Sequence, residues 1–425
     1  MKISEIKNNT SFKGADVLYN AANLFIKSQE NLSSTRFIQD TTTNWVPKAV
    51  FSRSKEDLAE MSFLEFLESA IFYFASPILG EKLFRNKVFK NFIPRDIKKE
   101  VNSQIPKTVE EITKNANLSD AVKKSAISTK AGIVLACAMI PIAEYTLSFA
   151  KNLFTLKAFK KSNFNNIANL DKGKQIEKEN IAQQQKVEKH SKRQLKKALL
   201  LSTAGVIGGI ALAKSGNQKI SKAILEPGKA LAKNIKNEKI KNALSKISFD
   251  FANNEGKLAL SKGQLGLTAI LGLFGYSKAA EDRGKLDVAE VWTRVPLVVF
   301  YTIFGSELFE KGFTKILKDK KIFPDIVNNS PTLKELPELA RKVAKENGTN
   351  ASSELKRLTK QKAVVSGIPY AFSLLFMGFT LSAITRFWTQ FRYNHQNKNQ
   401  NTQNNDSFVS FKNKIPEIYK DFNQK

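Results

Sequence analysis

Residues 363–384 read AVVSGIPYAFSLLFMGFTLSAI, 22 positions without a charge. A helix needs about 20 such residues to cross about 30 Å of hydrocarbon. A buried helix of a soluble protein carries polar residues on one face, at every third or fourth place. Here Ser and Thr are scattered around the helix and define no such face. The run ends in Arg386, Phe387 and Trp388, the cation-plus-aromatic flank that suits a headgroup boundary. This segment predicts a membrane span.

Five further apolar runs follow the same logic with less force. Ala131–Ala150 carries one charge, Glu144, and a mid-run Pro141. Ala198–Ala213 is bracketed by Lys196, Lys197 and Lys214, whose long stems can carry their charge to the interface. Gly263–Ser277, Ser69–Leu79 and Val295–Ser306 are shorter. Runs of that length suit tilted spans, re-entrant segments, interfacial helices or buried soluble helices. The expected fold is all-α: a polytopic helical membrane protein with about three to six membrane segments and basic amphipathic helices in its loops. The mean hydropathy of -0.30 places a large share of the chain outside lipid.

The net charge is +29 and the pI about 9.9, a balance that attracts anionic surfaces. Of the 68 basic residues 57 are Lys and 11 are Arg. Arg is the residue suited to bidentate reading of phosphate and guanine, so no specific nucleic-acid partner is expected. The expected partner is the bilayer, through anionic phospholipid headgroups. The single Cys137 rules out an internal disulfide, and His190 and His395 lie far apart, so no metal site and no cofactor are expected. No P-loop, dinucleotide fingerprint, GxSxG or HExxH occurs, and no enzymatic activity is expected. Met1-Lys2-Ile3-Ser4 opens no apolar run, and no cleavable signal peptide is expected.

A repeat organises the chain. Residues 53–61 read RSKEDLAEM and residues 283–291 read RGKLDVAEV. Downstream, Phe72-Tyr73 pairs with Phe300-Tyr301, and Gly80 with Leu83-Phe84 pairs with Gly305 and Leu308-Phe309. Thr129-Lys130 pairs with Thr359-Lys360, and Ile140-Pro141-x-Ala143 with Ile368-Pro369-x-Ala371. The opening Arg and the Ile-Pro are 87 residues apart in one copy and 85 in the other. Shared order and spacing predict an internal duplication of a two-segment unit. The regions are a polar N-terminus (1–52), a first repeat (53–155, apolar near 61–79 and 131–150), an insert (156–282, apolar at 198–213 and 263–277), a second repeat (283–390, apolar near 291–309 and 363–384) and an Asn/Gln-rich tail (391–425). If both insert segments cross, the copies are parallel; if one crosses, they are inverted. Lys is abundant in every long loop, so the positive-inside rule does not decide.

Arg53, Asp57 and Glu60, and likewise Arg283, Asp287 and Glu290, fall at i, i+4, i+7 on one helical face. They predict either a charged gate or docking face, or helix-stabilising ion pairs at a membrane entry. Glu144, an ionisable group in an apolar span, is a candidate ion or proton site. Pro141 and Pro369 predict kinks in the matching long segments. Gly205 and Gly209 form a GxxxG, a close-packing face whose expected partner is the fourth segment, with Gly266, Gly272 and Gly275. Ile240, Leu244, Ile247 and Phe251, interleaved with Lys, predict one basic amphipathic helix, for an anionic leaflet or a soluble subdomain. Pro337 and Asn347-Gly348 bound another helix. The leading functional expectation is a non-enzymatic structural or interaction protein, multi-pass in a bacterial-type inner membrane. The rivals are a solute or lipid transporter formed by the two repeats, and an enzyme acting on lipid.

Overall fold

The computed structural model describes residues 14–30, 34–172, 179–245, 247–251, 262–301 and 305–397; these are largely helical, with no strand among them. Four helical stretches among them are long and apolar enough to cross a membrane: Lys55–Asn91, Asp120–Phe159, Ile181–Ser215 and Ala351–Asn397. They hold four of the six apolar runs.

The chain opens with α1 (Gly14–Glu30) and α2 (Ser34–Val50), and a tight turn leads to α3 (Lys55–Ala70). Ser54 starts α3: its hydroxyl accepts the backbone N–H of Asp57, satisfying a donor that a helix start leaves orphaned. The helix continues through Ile71–Val88 with wider, π-type hydrogen bonding. Short helices α4 (Lys98–Gln104) and α5 (Val109–Lys114) follow. Then α6 (Asp120–Cys137) and α7 (Met139–Phe159) form one 40-residue stretch interrupted at Ala138. Pro141 explains the break, because it has no N–H for the Cys137 carbonyl and its ring crowds that carbonyl. Pro369 behaves differently. It sits inside an unbroken helix, and the bonding widens to π-type a few residues later, at Leu374–Thr380.

After α8 (Phe164–Ile167) comes α9 (Ile181–Ser215), a single 35-residue helix closed by Gly216 at a φ of 62°, a conformation glycine adopts without a Cβ clash. It runs antiparallel to α6. Gly132 and Gly209 face each other so closely that a Cβ on either would lie 2.5 Å from the carbonyl oxygen of the other. The glycine pair therefore finds its partner on the second apolar segment, and not on the fourth as expected. The fourth, in α13 (Lys262–Glu281), packs instead on α7, where a Cβ at Gly275 would fall 2.0 Å from the Tyr145 carbonyl oxygen. Small residues let backbones approach without loss of side-chain packing.

Between these lie α10 (Gln218–Leu225), α11 (Pro227–Ala232) and α12 (Glu238–Ser245). The basic amphipathic helix expected to reach Phe251 stops at Ser245. A buried charge is the reason. Lys130, fully buried, takes Asp250 as its partner at 2.5 Å and lies over the Phe251 ring at 5.1 Å. A buried cation without such partners would be very costly. Phe251 thus joins a core with Phe89, Ile105, Ile112, Ile127 and Ile133.

The second motif opens α14 (Lys285–Phe300), which starts at Gly284 with a φ of 136°, a left-handed position where Ser54 of the first motif is extended. The helices α15 (Ser306–Asp319), α16 (Pro324–Asn329), α17 (Leu336–Asn347) and α18 (Ala351–Ser373) complete the chain, with a small core of Ile326, Leu336, Ala340 and Leu358. α17 closes at Gly348, where a turn was expected.

Helix directions follow from these contacts. α13 runs parallel to α7, with Gly272 beside Glu144 and Asn152 donating to the Ala279 carbonyl at 2.9 Å. α2 runs parallel to the helix extending α18: Thr43 bonds Tyr370 at 2.7 Å and Pro47 packs on Gly378. The α2–α3 turn, the α13–α14 turn and the ends of α7 and of the extended α18 all meet at one end of the bundle.

Candidate functional site

That meeting point is built from the two motifs. Within the first, Arg53 Nε donates to Asp57 Oδ2 at 3.1 Å, the one-turn pair that the spacing permits. The rest of its guanidinium crosses to the second motif and binds Glu290 through both ends, at 2.9 and 3.3 Å. Arg283 mirrors this arrangement. Its Nε lies 3.1 Å from Asp287 Oδ2, at an angle that makes no hydrogen bond, and both of its terminal nitrogens donate to Glu60 of the first motif at 3.1 Å. Each arginine is therefore held by its own aspartate and by the other motif's glutamate.

The long segments complete the pattern. Thr155 at the end of α7 donates to Glu60 at 2.5 Å, and Thr389 on the extended α18 donates to Glu290 at 2.8 Å. Three residues before each threonine stand Asn152 and Arg386. Asn152 accepts from Arg283 at 3.0 Å, whereas Arg386 donates to Asp57 at 3.1 Å and Glu290 at 3.2 Å. Arg386 thus points into the network, while Phe387 beside it is 73% exposed. Lys151 adds a longer contact to Glu60, 3.7 Å. The Phe164 ring lies under both guanidinium groups, 5.2 Å from Arg53 and 5.8 Å from Arg283.

Burial makes these pairs strong. Arg283 is 2% exposed and Glu60, Asp57 and Asp287 are 5% exposed each. Burial alone would lower the pKa of Arg283, but Asp287 and Glu60 outweigh it and hold the pKa above the ordinary value. Arg53 is held up in the same way by Glu290 and Asp57. For Glu290, burial alone would raise the pKa; Arg53 and then Arg386 outweigh it and keep the carboxyl below the usual range. These are not exposed helix pairs worth a few tenths of a kcal/mol.

The network brings together Arg53, Asp57, Glu60, Arg283, Asp287 and Glu290. It does not include Glu144, which lies on α7 further from the turn end, nor Pro141, Pro369, Gly205 or Gly209, which shape and pack the helices. Inspection of the motifs missed Thr155, Thr389, Asn152, Arg386 and Phe164. A signal for four of them exists: TLS-x6-T occurs at 146–155 and again at 380–389, with Asn152 and Arg386 at the same step. The two serines, Ser148 and Ser382, are both buried without a hydrogen-bond partner for the hydroxyl.

Among the described residues no group of three or more His, Cys, Asp and Glu is placed to hold a metal ion. On the outside of the bundle an open apolar groove of about 420 Å³ runs between α3, its π-type extension and α7, lined by Leu67, Ile71, Ala143, Leu147 and Ala150. No protein-family model, curated protein or solved structure matches the chain.

Proposed function

We propose that this chain is a non-enzymatic, multi-pass protein of a bacterial-type inner membrane, a scaffold of two duplicated halves clasped at one end by reciprocal ion pairs. One observation carries the membrane part: three of the four long apolar helical stretches leave most of their apolar window uncovered. In the most apolar window of Ala351–Asn397 only 11% is buried, and in that of Ile181–Ser215 only 22%. Leu199, Leu200, Leu201 and Ile207 on α9, and Leu375 and Ile384 near the C-terminal end, stand open. Uncovered apolar surface on that scale needs lipid or a partner. The 420 Å³ groove, lined by aliphatic and alanine side chains, suits an acyl chain.

The duplication reading rests on the exchange of partners. Arginine, aspartate, glutamate and threonine recur in the same roles in both halves, each arginine reaching across. The helix preceding each motif is exchanged too, α2 lying on the long helix of the second half and α13 on that of the first. The repeating unit is then three helices, α2–α3–α7 and α13–α14–α18, with α9 as the insert. Both motif helices start at the same end, so the halves run parallel about an axis along the bundle. The transporter reading calls for a polar cavity near mid-membrane lined from both halves. Lys-rich segments such as 214–241 are suited to holding anionic headgroups.

Membrane fractionation tests this reading. The chain should stay with membranes through an alkaline carbonate wash. The purified protein should join vesicles containing phosphatidylglycerol more readily than neutral ones, by a margin that shrinks with salt. A chain that is monodisperse in detergent-free buffer would sink it.

A further inference from the structure

The three carboxylates between α3, α7 and α13 have no counterpart in the second half. In the register that aligns Arg53 with Arg283, Glu65 and Glu68 fall on Val295 and Val298. The region of α18 equivalent to Glu144 carries no carboxylate. The acids are therefore an addition to one half, beyond what the shared scaffold requires.

The three differ in their partners. Glu65 pairs with Lys48 of α2. Glu68 stands three residues further along α3. Glu144 is 3% exposed, and its Oε2 is buried without a hydrogen-bond partner. Its carboxylate lies over Gly272, where a Cβ would come within 3.3 Å of Oε1. Glu68 and Glu65 are the charged groups beside it. Of the three, the most deeply buried is the one that pairs with no cation. A buried acid with no counter-charge, next to like charges, takes up a proton rather than remain ionised.

We propose that Glu144, with Glu68 and Glu65 of α3 beside it, is a proton-binding site. The site lies where α7 of the first half meets α13, which the proposed architecture assigns to the second half. Loss of the proton would place a second charge beside Glu68 at that contact. The inference goes beyond the membrane scaffold reading and depends only on burial inside the bundle.

Infrared spectroscopy of the full chain tests it, in detergent or, if the chain needs none, in plain buffer, so the result does not turn on the membrane reading. Wild type near neutral pH should show the carbonyl stretch of a protonated carboxylic acid, shifted in D2O. Glu144→Gln, a neutral replacement of the same shape, should fold and lose one carboxyl's worth of that band. Glu68→Gln removes a like charge, so the band should disappear at a lower pH than in wild type. The proposal is overturned if wild type lacks the band, or if it survives Glu144→Gln undiminished. It is also overturned if Glu68→Gln leaves the titration where it was, or if Glu144→Gln fails to fold, which would mean that the site needs the charge.

Discussion

The network at the turn end and the carboxylates between α3, α7 and α13 bury the same kinds of group on different terms. In the network every carboxylate faces a guanidinium, Glu60 and Glu290 accept from two or more donors each, and the pattern appears once at each motif. In the carboxylate cluster Glu65 has an ion-pair partner, Glu144 has none, and Glu65 and Glu68 fall on valines in the register of the second motif. Paired, recurring charge can fix the register of the helices that share it, whereas a buried carboxylate without a partner costs stability unless something binds there.

The comparison breaks first on stability. Arg283→Ala should be the most damaging single change in the network, since it strands Glu60 and Asp287 in a buried place. Losing one member of a buried pair costs about 3–5 kcal/mol. Glu144→Gln should cost about 1 kcal/mol or less, because it replaces one neutral group by another. Thermal melts of the two variants under one detergent condition check this. Equal losses would erase the distinction between the clusters.

A finer break compares the halves of the network. A double-mutant cycle on Arg53 and Glu290, and another on Arg283 and Glu60, should each return a coupling of about 1–3 kcal/mol. The Arg283–Glu60 coupling should be the larger. Glu290 keeps Arg386 at 3.2 Å when Arg53 is removed, whereas Asn152, in the corresponding place, is neutral and Glu60 keeps only the longer Lys151 contact at 3.7 Å. The reverse order would mean that Arg386 does not back up Arg53.

Much of the fold was legible in the chain. The uncharged run at 363–384 and the Lys-bracketed run at 198–213 are single long helices, because apolar length alone demands it. The break at Ala138 follows from Pro141. What composition could not show is which helix lies against which. The glycines at 205 and 209 advertise close packing but not the partner, which depends on Gly132 in another segment. The basic amphipathic pattern through Phe251 read as one helix, because nothing local reveals that Lys130, 120 positions earlier, needs Asp250. At the candidate site the six motif residues were legible by spacing, but the i, i+4 register offers each Arg a local Asp and so hides the partner across the molecule. Thr155 and Thr389 went unnoticed because a threonine near the end of an apolar run is common. Only its recurrence, with Thr-Leu-Ser nine residues before it, carries information.

The smallest effect concerns pH, and it sharpens the comparison by opposing the signs of the two clusters. The Glu290 carboxyl is held below its ordinary value. A carboxyl with a depressed folded pKa contributes stability that is complete above its unfolded value, near 4.3, and lost as pH falls through the folded one. Glu144, by the proposal above, keeps its proton in the folded chain, so its contribution is complete below the unfolded value and is lost as pH rises from there through the folded one. The two contributions therefore change in opposite directions as pH rises from acid, and the variants should divide them. Glu144→Gln should remove the loss that comes with rising pH and leave the gain. Glu290→Gln, less stable overall, should remove the gain and leave the loss. Melting temperatures taken across pH in one detergent would show it, and the idea fails if both variants change the pH dependence in the same direction.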